Sequence, residues 1–227
     1  MDVVATYRSN RAVRLLLGIA LLFSGIALLM HIFSGVSLRV ALLATVLTAT
    51  VTIAVLWRRM DPPMRSNVRL RAKVGVIAGV LALVVYDAVK WLVSLADPSP
   101  YNPFEALWYF GVLLVGTGQS EFWIMVAGTG FHALNGIAFV IAYCFLLGRA
   151  GIVAGILWGL VLSAMQIAIY PFWLDVGLVQ QFAVISIVGH VAYGATFGYV
   201  CKRGLERLET RPVGNRPLTE RAGSERT

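Results

Sequence analysis

Three histidines occur in the chain, and two of them head the same pattern, His-x-x-x-Gly-x-x-Phe: His132 to Phe139, and His190 to Phe197. Each copy lies in the middle of a long apolar segment. A histidine in such a segment is expensive to hold, so it marks a polar place by default. The chemistry open to two imidazoles is limited. They can bond neighbouring helices, exchange protons near neutral pH, or ligate iron or another metal. Asn135 follows the first histidine at i+3 and Tyr193 follows the second at the same spacing, on one helical face in each case. His132, Asn135, His190 and Tyr193 form the candidate midplane polar site.

A second set of polar groups falls outward of these. Asp87 and Lys90 stand at i and i+3 of one apolar segment and are placed to pair with each other. Glu121 and Gln166, with Glu105 and Tyr170, lie at a similar level of other segments. Asp87, Lys90, Glu121 and Gln166 are thus expected to line an outer vestibule above the histidines. Inward of the histidines come only Asn135, Tyr143, Cys144 and Cys201, so an opening is expected to face outside.

Three readings of the site stand side by side. Interhelical glue accounts for such histidines at ~0.6–2 kcal/mol per hydrogen bond. A path for protons, ions or a small polar solute uses their titration. Bis-histidine ligation of haem or a metal would use both rings, although no Cys-x-x-Cys-His and no further ligand accompanies them. No cofactor follows from the sequence beyond that option. The two cysteines, Cys144 and Cys201, form no Cys-x-x-Cys pair. His-Glu-x-x-His, Gly-x-Ser-x-Gly and the phosphate-binding glycine loops are absent, so the reading leans away from an enzyme.

The elements that must carry these residues are membrane helices. The chain has 227 residues, of which 59% are hydrophobic and 13% charged, too apolar for a soluble domain of this size. Several apolar runs reach the ~20 residues that span a bilayer core, and strand alternation is missing. An all-α bundle of six spans is expected, at about 15–33, 38–57, 70–96, 120–147, 151–170 and 179–201. A proline-marked linker fills 58–73. The segment 104–117 is apolar but too short to cross, and fits a re-entrant or interfacial helix. Residues 204–227 read as a disordered basic tail.

The charge balance fixes an orientation. The net charge is +8, yet 17 of the 19 Lys and Arg flank the apolar runs on one side, with only Arg39 and Lys90 elsewhere. By the positive-inside rule both termini are cytoplasmic. The same placement removes the case for nucleic acid, because no basic stripe is interleaved with exposed aromatics. The partners expected are the lipid bilayer and either a second copy or another membrane protein. The latter two would dock through the glycine faces Gly75-x-x-x-Gly79 and Gly151-x-x-x-Gly155-x-x-x-Gly159. That gives a third functional class, a structural or assembly partner.

The run from Asn102-Pro103 through His132-x-x-x-Gly136-x-x-Phe139-x-x-x-Tyr143, a glycine-rich helix and His190-x-x-Tyr193-Gly194 resembles small bacterial integral membrane proteins of unknown function. The resemblance covers about residues 70–203. It implies a location in the bacterial inner membrane and implies no activity.

Overall fold

The structure is a computed structural model that describes the backbone of residues 3–209 and the side chains of residues 11–207. Its elements are eight helices: α1 (Val3–Ala20), α2 (Phe23–Ser34), α3 (Leu38–Arg59), α4 (Pro62–Ala96), α5 (Glu105–Val115), α6 (Glu121–Leu146), α7 (Gly151–Trp173) and α8 (Val179–Glu209). Among the described residues there is no strand. Five of the helices are long and apolar enough to cross a membrane, namely α3, α4, α6, α7 and α8.

The expected first span is broken rather than continuous. Residues Arg11–Ala20 of α1 meet α2 at a bend of 50°. The Leu22 N–H bonds the carbonyl of Ile19 at 3.0 Å, three residues back, a tightened turn that redirects the axis. The pair forms a sixth crossing only if both halves count as one span. The linker expected at 58–73 is a second correction, because α4 begins at Pro62. Asp61 caps it, its carboxylate accepting the Met64 N–H at 2.8 Å. Pro62 and Pro63 occupy first-turn positions that need no amide partner. A proline pair therefore starts this helix as well as ending the one before. Arg65 and Arg69 on the new turns stack over the Trp57 ring, 5.7 and 5.0 Å from its centroid.

The remaining boundaries shift less. Helix α7 carries Pro171 inside its last turn and runs on to Trp173, past the end expected at Tyr170. A proline so close to a helix end removes only one backbone bond. Helix α8 continues to Glu209, so residues 204–209, expected as disordered tail, are helical. The rest of that tail lies outside the described residues. The short segment expected at 104–117 is α5, residues 105–115.

Helix α8 lies along α4 and α7, and α6 packs on α4. These contacts run through glycine. A methyl on Gly155 would stand 2.8 Å from Gly198 Cα, and one on Gly198 would stand 2.7 Å from Gly151 O. On α4, a methyl on Gly75 would meet Ile141 Cα of α6 at 2.9 Å. The glycine faces of α4 and α7 are thus both met by helices of the same chain. Helix α5 folds back against α6, with Gly111 opposite Ile124 and Gly128 opposite Leu107. Its first turns therefore lie opposite Gly128, well inside α6 rather than at the start of that helix.

Candidate functional site

Between these helices lies a cavity of about 320 Å³. Its walls come from α2, α4, Pro103, α5, α6, α7 and α8, and most of them are aliphatic or aromatic. Its lining includes the polar groups of His132, Asn135, His190, Tyr193, Lys90 and Gln166, with the rings of Tyr86, Trp158 and Tyr170. All four midplane candidates thus line one space, joined by two of the four outer ones.

Each polar group has a partner that defines what it can still do. His132 Nε2 lies 3.0 Å from Asp87 Oδ1. A carboxylate accepts, so this nitrogen donates and Nδ1 is the ring nitrogen left over. His190 Nδ1 lies 2.8 Å from the backbone carbonyl of Ser186. A carbonyl cannot donate, so Nδ1 carries the hydrogen and Nε2 keeps its lone pair. The two copies of the repeat thus use opposite ring nitrogens for anchoring, and each leaves its other nitrogen over.

The amides are held in a complementary sense. Ser24 Oγ on α2 donates to Asn135 Oδ1 at 2.8 Å, leaving the Asn135 N–H groups. Ser186 Oγ donates to Gln166 Oε1 at 3.0 Å and takes the Ser163 hydroxyl at 3.1 Å, leaving the Gln166 N–H groups. Tyr193 donates to the carbonyl of Gly136, so the tyrosine of one repeat closes on the glycine of the other. Lys90 is only 8% exposed. Its Nζ donates to Pro103 O at 2.7 Å and stands over the rings of Tyr86 and Phe104, 5.1 and 5.2 Å from their centroids.

The imidazoles meet through a third ring. Tyr86 lies 5.9 Å from His132 and 4.9 Å from His190, centroid to centroid, and 5.7 Å from Tyr193. No hydrogen bond joins one histidine to the other. The Asp87–Lys90 pairing expected from their spacing is replaced, since Asp87 faces His132 and Lys90 faces Pro103. Glu121 is exposed at the start of α6 and lines no part of this cavity. Glu105 lines a separate space of about 230 Å³ with Tyr101, Asn102 and Asp175. The outer vestibule is therefore not one compartment.

Sequence reasoning passed over Ser24, Tyr86, Ser163 and Ser186. Ser186 precedes His190 by one helical turn, a spacing that could have drawn it in. Ser24 and Asn135 stand 111 positions apart, and nothing in the order of residues links them. Trp158 is also in the wall, and its Nε1 is the buried side-chain nitrogen or oxygen that lacks a partner among the described residues. Among the described residues no group of three or more His, Cys, Asp or Glu is placed to hold a metal ion.

A family model described as a family of unknown function (DUF6789) matches residues 70–212. No curated protein and no solved structure matches the chain. The matched stretch begins inside α4 and takes in α5 to α8, which is every wall of the cavity except α2.

Proposed function

The chain belongs to the DUF6789 family, whose function is unknown, and from its cavity we propose that it is a multi-pass membrane protein that binds a small solute at His132 and His190. The observation that carries this reading is the pair of imidazoles. Each is held through one ring nitrogen by an acceptor, and both rings line a solute-sized cavity. Cavities of a few hundred Å³ with few, converging polar groups are the usual form of a small-molecule site. Binding of the solute can be linked to a proton, because these rings are imidazoles. The role is binding or carriage across the bilayer rather than catalysis.

The membrane arrangement belongs to the same proposal. The bent pair α1–α2 counts as one crossing, which with α3, α4, α6, α7 and α8 makes six. Both termini then lie on the basic, cytoplasmic side of a bacterial plasma membrane. Helix α5 is a half-span that re-enters from the outer side, supported by the close approach of Leu107 to Gly128. In this frame the cavity occupies the outer half of the bundle.

The test is a thermal melt of the purified protein against a panel of protons, ions, polar solutes and membrane lipids. A ligand at a hundred times its Kd stabilises a protein by about 2.7 kcal/mol, roughly 5–10 °C at this size. At least one class should give that shift, and His132→Gln or His190→Gln should shrink it. A shift that survives both substitutions unchanged would place the ligand elsewhere.

A further inference from the structure

We propose that the ligand of this cavity is an uncharged, membrane-dissolved lipid with an O–H head, either a quinol or an isoprenoid alcohol, and that it enters sideways between α2 and α7. This rests on the reading that the His132/His190 cavity binds a ligand, and it names that ligand's chemistry.

The sideways route comes from three residues. Ile26 of α2 and Val161 and Met165 of α7 all line the cavity, and they are 41%, 60% and 43% exposed. Lining side chains this exposed mark the rim of an opening. Helices α2 and α7 meet nearer their outer ends, where the His31 and Trp173 rings stand edge to face at 5.8 Å. Below that contact the rim faces the level of the lipid chains. A water-soluble solute would have to cross hydrocarbon to reach it, whereas a lipid arrives directly.

The head group follows from what the walls offer. His132 Nδ1 and His190 Nε2 are the ring nitrogens left over by the bonds to Asp87 and Ser186, and His190 Nε2, an acceptor, calls for a donor. The remaining N–H groups of Asn135 and Gln166 call for an acceptor. A hydroxyl is both at once. The formal charges nearby are Asp87 and Lys90, bound to different partners but of opposite sign and one helical turn apart, so they sum to zero and a charged head would add a net charge to a low-dielectric space. The aliphatic and aromatic remainder of the wall takes the first part of an apolar chain, and the opening lets the rest extend into the bilayer.

The experiment uses the full chain in phosphatidylcholine nanodiscs and reads melting temperature against probe concentration. The probes are decyl-benzoquinol, farnesol, decanoate, decylamine and chain-free hydroquinone. A saturable rise is expected with decyl-benzoquinol or with farnesol, and the one that acts identifies the source. Decanoate and decylamine should bind at least tenfold more weakly. Val161→Trp fills the rim without touching a polar group, and it should weaken or slow binding at least tenfold while the unliganded melt stays in place. Equal binding of decanoate or decylamine, saturation by hydroquinone alone, or a second copy found covering Ile26 and Val161 would overturn this inference and leave a ligand-binding cavity standing. If no probe, ion or polar solute shifts the melt, both readings fall together.

Discussion

At the residue scale, the site is a set of groups whose orientation is fixed one by one. His132 and Asp87 share a hydrogen bond of 3.0 Å, so their substitutions should not add. Cutting one partner strands the other in a poorly solvated place, at ~1–3 kcal/mol. A double-mutant cycle of His132→Ala with Asp87→Ala should give a coupling of ~0.5–3 kcal/mol. His132 and His190 both pack against the Tyr86 ring. Their coupling should be smaller than that of His132 with Asp87, and it should shrink in a Tyr86→Leu background. Equal couplings in both cycles would mean that the imidazoles meet directly. Outside the spans, Tyr101 in the loop before α5 has its phenol pushed up to about 12, by burial first and by Glu105 second. The folded state thus favours the neutral phenol. Stability from this group is complete below the ordinary value of 10.0 and is lost as pH rises from there toward about 12. Tyr101→Phe should flatten the alkaline limb of a stability-pH curve, and an unchanged limb would remove the effect.

At the element scale, the bundle depends on glycine where backbones touch and not elsewhere. A methyl at Gly155 would overlap the backbone of Gly194 and stand 2.8 Å from Gly198 Cα, whereas one at Gly130 would meet nothing within 4 Å. Gly155→Ala should therefore cost ~1–3 kcal/mol as overpacking, and Gly130→Ala should be neutral or stabilising by up to about 1 kcal/mol. Urea or thermal unfolding in detergent reads both, and similar losses at the two sites would contradict the close α7–α8 approach. These helices were legible in the sequence because apolar runs and glycine spacing are local signals. The start of α4 was not, since Asp61-Pro62-Pro63 reads equally as a stop and as a cap followed by a first turn. The break at Leu21-Leu22 has no proline or glycine at the joint to announce it. His132, Asn135, His190 and Tyr193 were found through their repeat and line one cavity, whereas Asp87 and Lys90 turned to partners that only the fold supplies. Glu121 went with the first turn of its helix, where it is exposed.

At the scale of the whole molecule, the proposed topology makes the two ends equivalent. Reporter fusions at residues 3 and 215 should both read cytoplasmic and one at Asp175 external. An external signal at residue 215 would remove a crossing, the bent α1–α2 pair first. The cavity, read as a site for a lipid or small solute, also predicts a colourless protein after purification. A Soret band lost in both His132→Ala and His190→Ala would replace that reading with haem ligation. The direct test of the ligand site is nitrogen-15 NMR of imidazole-labelled protein in nanodiscs, with the three histidines assigned by single substitution. It is recorded while the best-stabilising compound from the melts is added. A ligand in this cavity shifts His132 Nδ1 and His190 Nε2 along one shared saturation curve and leaves His31, bonded to Val36 O, in place. Saturable stabilisation with both of those nitrogens unmoved would put the ligand outside the cavity and contradict the proposed function.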